Sequence, residues 1–287
     1  MTFSIVAYDA KNNEWGIAVQ SKFVAVGAIV PIAKANVGAI ATQAYANTSY
    51  GPKGLSLLEK GLTAKDTVER LLKEDELREE RQVGIIDSYG NAHAFTGKKC
   101  FDWAGHVIGE NYTCQGNILT SEAVIEAMAE AFENTKKDLV EKFFAALEAG
   151  QEKGGDKRGR ESAAILIVKE KGAYDGGTDR YIDIRVDEHP DPIKELRNVF
   201  EVYDMSILLR DDPNDIIKLE GEAAVIVKER LKLDGFYEGE INELYDEETK
   251  AALRDWLGIN NFEVKERDDE YMWGSVYRYI FKLRNKL

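Results

Sequence analysis

Through the first two-thirds of this sequence, strand-like segments come as hairpins and helix-like segments come as pairs. Phe3 to Asp9 and Trp15 to Ser21 read as strands and flank the turn residues Lys11-Asn12-Asn13-Glu14, which predicts a hairpin. With Asn12 and Asn13 at its tip, Phe3 is expected near Lys22 and Ser4 near Ser21. The small-residue apolar run Val37 to Thr42 reads as a third strand, buried on both faces. Leu55 to Gly61 and Ala64 to Glu74 read as helices, the second N-capped by Thr63. Gln82 to Ser88 and Ala92 to Thr96 form another hairpin around Tyr89-Gly90-Asn91. Ser121 to Asn134 and Lys137 to Ala149 are periodic helices, with Gly150 as a C-terminal signal for the second. Ser162 to Lys169 and Tyr181 to Asp187 close the set as strands. A parallel sheet needs a crossover helix between successive strands. Hairpins and helix pairs in separate blocks predict instead an α+β fold of antiparallel sheets with helical layers.

His189-Pro190-Asp191-Pro192 is the best boundary, because its prolines interrupt the preceding strand and start the next helix. Ile193 to Tyr203 reads as a connecting helix and Arg210 to Asn214 as a loop. From Asp215 onward the pattern is nearly all helical. The expected organisation is a domain over 1–198, a linker over 199–214 and a helical module over 215–287. The chain carries 52 acidic against 38 basic residues, a net charge of −14. Such a surface repels phosphate backbones, which argues against general nucleic-acid binding and against anionic membranes, while leaving room for a local basic pocket. No stretch approaches the roughly 18 apolar residues of a membrane span. The opening Met1-Thr2-Phe3-Ser4-Ile5-Val6 shows no basic leader, so a cytoplasmic location is expected. Cys100 and Cys114 are expected as reduced thiols.

Thr2 carries the sharpest chemical hypothesis. Aminopeptidases remove methionine before small residues, and removal of Met1 gives Thr2 a free α-amine. That amine has a pKa of about 7.7–8.0 and can act as general base for the hydroxyl of the same residue. Lys22, expected nearby, would depress the amine pKa by like-charge repulsion. The competing reading is an ordinary strand-start residue. Gln43 and Asn117 are candidate oxyanion donors, and Asn47 is a further polar candidate beyond the buried strand; loop capping is the alternative. Arg78, Glu79 and Arg81 lie in a charged cluster before a strand. Arginines there either hold a substrate carboxylate in a fork or make surface ion pairs. Asp156 and Arg158, in the loop Gly154-Gly155-Asp156-Lys157-Arg158-Gly159, either wall an active site or pair within a turn. That loop runs from helix to strand, which excludes a P-loop. Ser21, beside Thr2 at the exit of its strand, joins the candidate substrate contacts. His93, Cys100, His106 and Cys114 lack paired ligand spacing, so no metal site and no cofactor are expected.

One resemblance gathers these pieces. Thr2 to Ala7, Ser21 to Gly27 and Gly38 to Gln43 come first, followed by Asn47, Tyr50-Gly51 and Gly54-Leu55. Arg78 to Gly84, Thr96-Gly97, Cys100 to Gly105, Gln115-Gly116-Asn117 and Gly154 to Gly159 continue the series. In this order the set resembles the DUF1028 family, from residue 2 to about 198. That family is similar in fold to the N-terminal nucleophile (Ntn) hydrolases. The resemblance implies a four-layer αββα sandwich and places Thr2 at the nucleophile position. It implies an amidohydrolase acting on a small peptide or acyl-amide substrate. The alternative is a non-catalytic protein binding a small ligand, glycan or peptide on the same scaffold. Over about 215 to 287, the runs Leu231 to Gly239 and Tyr245 to Leu253 resemble small peptidoglycan-binding domains. There Asn242-Glu243 and Leu244-Tyr245 stand where those modules usually carry a glycine pair. A peptidoglycan fragment is the partner this implies, and a packing module that assembles a homo-oligomer is the alternative. Trp256, Tyr271, Trp273, Tyr277 and Tyr279 stack on sugars in the first case and form core in the second.

Overall fold

Strand β1 (Thr2–Asp9) pairs antiparallel with β2 (Glu14–Ser21), with Thr2 opposite Ser21 and Asp9 opposite Glu14. The computed structural model describes residues 2–284. Met1, on whose removal the nucleophile hypothesis depends, lies outside the described residues. The hairpin register corrects the sequence expectation: Phe3 faces Gln20 rather than Lys22, and Ser4 faces Val19 rather than Ser21. The cause is Asp9, whose carboxylate accepts from the Lys11 N–H at 2.9 Å and the Asn12 side chain at 2.7 Å. Those bonds draw the tip toward Ala10–Asn13, and Asn13 takes a left-handed φ of 50°, which Asn tolerates. An even shift leaves every side chain on its original face.

The remaining elements of the first unit are β3 (Pro31–Lys34), β4 (Gly38–Ala44), α1 (Tyr50–Glu59), α2 (Ala64–Lys73), β5 (Arg81–Asp87) and β6 (Ala92–Thr96). They continue with β7 (Gly105–Gly109), β8 (Tyr112–Asn117), α3 (Ala123–Asn134), α4 (Leu139–Glu152), β9 (Ser162–Val168) and β10 (Arg180–Val186). One sheet has six strands in the order β10-β9-β2-β1-β8-β7, and the other has four in the order β3-β4-β5-β6. Every pairing is antiparallel. Helices α3 and α4 pack on the first sheet and α1 and α2 on the second, while β1 and β8 meet β4 and β5. Between the sheets lie Val6, Ile17, Val19, Ala39, Ala41, Ile86 and Leu166. Beneath α1 and α2 lie Ile40, Leu58, Val68, Leu71, Val83 and Ile85. Thr63 caps α2, its side chain accepting from the Asp66 N–H at 3.1 Å. Both cysteines are buried free thiols.

Gly150 does not terminate its helix. It lies inside α4, where an added Cβ would meet Met128 Cγ at 2.8 Å. It is there for the close approach of α3, and the chain turns only at Lys153, Gly154 and Gly155, where both glycines have positive φ.

A second compact unit begins at Phe200, within helix α5 (Pro192–Ile207). Part of the segment 199–214, expected as a linker, is thus helical. The unit continues with β11 (Ile216–Lys218), α6 (Glu222–Leu233), α7 (Glu247–Ile259), β12 (Tyr271–Trp273) and α8 (Gly274–Arg284). The small β11–β12 pair interrupts what reads in sequence as continuous helix. Its core holds Val227, Leu231, Leu253, Trp256, Phe262, Met272 and Ile280, with Trp273, Tyr277 and Tyr279 packed against it. Lys228 is fully buried and donates to Asn242 Oδ1 at 2.8 Å and Asp246 Oδ2 at 3.3 Å. Asn242 therefore has a structural task at the place where a glycine was expected.

Asp246 caps α7 by accepting from the Thr249 hydroxyl and N–H. These bonds, with Lys228, lower its carboxyl pKa from 3.8 to about 2. A depressed carboxyl stabilises the fold above its unfolded pKa, and that contribution fades as pH falls toward the folded one. Amide protection in α7, read by hydrogen exchange corrected for intrinsic rate, should therefore fall between about pH 4 and pH 2. Asp246→Asn should flatten that dependence.

Candidate active site

Thr2 sits in a row of strand ends. Ser21 of β2 lies opposite it on one side and Asn117 of β8 on the other, and Ser21 in turn faces Ser162 of β9. The Thr2 hydroxyl is 3.1 Å from the Ser21 hydroxyl. Behind this row a buried amide network joins the two sheets. Gln82 Oε1 accepts from Gln43 Nε2 at 2.8 Å and from Asn117 Nδ2 at 2.9 Å. Gln82 Nε2 donates to the Gly116 carbonyl at 2.7 Å and to the Thr96 hydroxyl at 2.9 Å. Ser4 donates to Gln43 Oε1 at 2.7 Å and accepts from Gln115 Nε2 at 2.6 Å. Ser4 is wholly buried by these partners, which leaves Thr2 as the hydroxyl of this strand end that meets the cleft.

The polarity of the network follows from the strands. Thr113, Gln115 and Asn117 alternate along β8; Asn117 bonds Gln82 of the other sheet, while the Gln115 side chain bonds Ser4 and accepts from the Thr113 hydroxyl. Buried amides are tolerated only when their donors and acceptors are matched. Gln43 Nε2 also faces the Thr2 carbonyl at 3.4 Å and the Gln115 carbonyl at 3.3 Å, so its N–H groups hold the backbone beneath Thr2. Among the described residues, Asn117 Nδ2 donates to Gln82 alone.

Two adjoining hollows open above the row. One, of about 370 Å³, is walled by Thr2, Phe23, Val26, Ile29, Val30, Gln43 and Ala46. The other, of about 530 Å³, is walled by Glu80, Lys99, Cys100, Phe101, Asn117 and Ile118. Ala44, Tyr45 and Arg158 belong to both. Two wall residues are conformationally strained: Ala44 has φ of 69° and the β-branched Ile118 has φ of 50°. Such outliers persist where the surroundings hold them, and they cluster at functional sites.

The loops around the hollows are pinned by buried polar groups. Asp156, 3% exposed, accepts from the Lys22 N–H at 2.9 Å and the Arg158 N–H at 2.8 Å, with the Arg158 guanidinium 3.6 Å away. The Lys22 ammonium points to Glu161 at 3.2 Å, which offsets its charge. The Ser162 hydroxyl accepts from the Val26 N–H and donates to the Phe23 carbonyl. Arg81 pairs with Asp75 at 2.9 Å and donates to the Tyr45 carbonyl at 2.5 Å. Asp75 also accepts from Asn47 and from Tyr50. The Arg81 guanidinium holds the Asp75 carboxyl well below the usual carboxylate range, while burial and Asp75 push the Tyr50 phenol up.

The fold therefore gathers Thr2, Ser21, Gln43, Asn117 and Arg158 at one place, with Lys22 and Asp156 directly behind. Asn47 and Arg81 sit one layer back, in the Asp75 cluster. Arg78 and Glu79 lie on the surface, 3.9 Å from each other, and Glu79 accepts from the Lys98 N–H. Phe23, Ile29, Tyr45 and Asp75 belong to the site or its support beyond the residues expected from sequence. An apolar pair directly after Lys22 was the available signal for Phe23; Asp75 was hidden in an acidic run that reads as solvated. Among the described residues no group of three or more His, Cys, Asp or Glu could hold a metal ion. Nor is any helix among them long and apolar enough to cross a membrane.

Residues 2–196 match the model of DUF1028, a family of unknown function. Residues 207–280 match a model described as a "putative peptidoglycan binding domain". The crystal structure of SPO2555 from Silicibacter pomeroyi, a DUF1028 protein, is 31% identical, with a TM-score of 0.66 over 71% of this chain and 86% of that one. Anbu, the ancestral β-subunit from Yersinia bercovieri, is 12% identical, with a TM-score of 0.32 over 70% of this chain and 93% of its own. No curated protein matches the chain.

Replacing Arg81 with Gln strands the Asp75 carboxylate in a buried place. Arg81→Gln should lower unfolding stability by about 3 kcal/mol in a denaturant titration. Adding Asp75→Asn should recover much of that loss, because no buried charge then remains unpaired.

Proposed function

The chain belongs to the DUF1028 family, and on that footing we propose that its first unit is an N-terminal-nucleophile amidohydrolase with Thr2 as nucleophile. The placement of the Thr2 hydroxyl at a strand end, in the wall of a hollow, is the observation that carries the reading. The packing of helices on the outer side of each of two facing sheets supports an Ntn-type αββα layering.

The reaction requires a chain that begins at Thr2. The neutral Thr2 α-amine takes the hydroxyl proton as Oγ bonds to the carbonyl carbon of an amide. The Ser21 hydroxyl, 3.1 Å away, orients Oγ. Asn117 keeps one amide hydrogen beyond its bond to Gln82, and in this reading that hydrogen is donated to the oxyanion. Gln43 acts as a positioning residue through its bonds beneath Thr2. The tetrahedral adduct collapses, the C–N bond breaks, and the departing amine leaves with the proton held by the Thr2 ammonium. Water then attacks the Thr2 ester, gives a proton to the α-amine, and releases the acid with Thr2 restored. Lys22 tunes the amine only weakly, since Glu161 shares its charge.

We assign the second unit a peptidoglycan fragment as partner, on the strength of its family match. Co-sedimentation of the full chain with insoluble peptidoglycan tests this; a chain that stays in the supernatant removes the assignment.

Intact-mass measurement of protein from its native source should give a chain starting at Thr2. On such protein, Thr2→Ala should reduce hydrolysis of acyl-amide substrates by about 10³-fold or more, with Thr2→Ser retaining part of it. Because the base must be neutral, kcat/KM should rise with pH through about 7.7–8.0. A mass that retains Met1, or full activity in Thr2→Ala, sinks the mechanism.

A further inference from the structure

The two hollows differ in chemistry, and Thr2 stands at their junction. The hollow that contains Thr2 is walled mainly by Phe23, Val26, Ile29, Val30 and Ala46. Phe23 and Ile29 are 50% and 39% exposed, an apolar surface offered to something other than the protein core. The neighbouring hollow contains Asn117, the register partner of Thr2, and is bordered by Arg158, Lys99 and Glu80, with the Lys99 ammonium 3.9 Å from the Glu80 carboxylate. Arg158 borders both hollows, and its side chain is 47% exposed while the Asp156 carboxylate that steadies it is fully buried. Its guanidinium, 3.6 Å from the Asp156 carboxylate, is thus presented at the boundary, and its planar fork of donors suits recognition of a carboxylate.

We infer that the site takes an N-acyl amino acid: an apolar acyl chain lies in the hollow of Phe23 and Ile29, and the carboxylate on the amine side meets Arg158 in the other. This rests on the amidohydrolase reading for the direction of the substrate. The scissile carbonyl lies over Thr2, and the departing amine, an amino acid, lies toward Asn117 and Lys99. Ala44, which borders both hollows, and Ile118, which borders the second, both have left-handed backbones. Apolar burial supplies affinity on one side, and a charge-assisted contact supplies selection on the other.

The test separates binding from chemistry. Full chain beginning at residue 2 and carrying Thr2→Ala is titrated calorimetrically with N-octanoylglycine, octanoylglycinamide and N-acetylglycine. N-octanoylglycine should bind at least tenfold more tightly than either of the others. Arg158→Gln should bring N-octanoylglycine down to the affinity of its amide, while leaving the preference for octanoyl over acetyl in place. Arg158→Lys should keep part of the carboxylate preference and guards against a folding defect. Equal affinity for the acid and the amide, or no preference for the longer chain, overturns the inference, as does no measurable binding of N-octanoylglycine. If that ligand fails to bind while the Thr2 chain hydrolyses other amides, the substrate class falls and the amidohydrolase reading stands. If it binds as expected but the Thr2 chain does not cleave it, the ligand class stands and the catalytic reading falls.

Discussion

The contact of Gln82 with Gln43 on one side and Asn117 on the other is the joint on which the first unit turns. Two sheets packed only by Val, Ile and Ala side chains would be free to settle in several registers, because apolar contact has little direction. The amide groups remove that freedom. Each hydrogen bond in the Gln43–Gln82–Asn117–Gln115–Ser4 set has a donor on one strand and an acceptor on another. Any slip of one sheet over the other leaves several buried amides unmatched, at a cost of about 1–3 kcal/mol each. The price of a polar interior is that every partner must be present. Gly84 shows how tightly the set is built, since a Cβ there would lie 2.2 Å from Gln115 Oε1.

The same joint places Thr2. Its carbonyl is near Gln43, its hydroxyl near Ser21, and its strand neighbour Asn117 is held by Gln82. Around this rigid floor the walls are loops, each fastened by a buried charge or hydroxyl. Asp75 and Arg81 fasten the Tyr45 loop, Asp156 the loop of Arg158, and Ser162 the loop of Phe23. Ion pairs of this kind contribute little to net stability relative to apolar packing, but breaking one is costly. They fix the place of a loop whose outer side chains remain exposed. That arrangement lets wall residues vary in size and charge while the floor stays the same.

Much of this was legible in the residues. Hairpins and paired helices stated the antiparallel character, and Thr63 announced a cap that the structure contains. Strand β8 was harder, because Tyr-Thr-Cys-Gln-Gly-Asn lacks the apolar alternation of a buried strand; its polar face is buried against the polar face of the other sheet. The hairpin register also escaped, since a side-chain bond from Asp9 decided where the turn would sit. Gly150 carried the usual mark of a helix end, yet close packing against Met128 is what requires a small residue there. Arg78 and Arg81 looked alike in sequence. Only the reach of Asp75 across the following turn distinguishes the buried one from the exposed one.

The position of the candidate site within the sheets follows from the same logic. Thr2 begins β1, Ser21 ends β2, Asn117 ends β8 and Ser162 begins β9. In the second sheet Ala44 ends β4 and Arg81 begins β5, paired with each other. These residues lie at the ends of strands whose interiors are bound on both sides by ladder bonds. A strand end has neighbours that fix its backbone, but beyond it the chain is released into loops. The first property is what a nucleophile needs, because small displacements of a reacting atom cost orders of magnitude in rate. The second is what a substrate needs, because a hollow requires backbone that leaves the sheet. Ala44 and Ile118 adopt left-handed conformations at the step where β4 and β8 give way to loop. The strain there is the local consequence of turning two ordered strands aside to open space above Thr2.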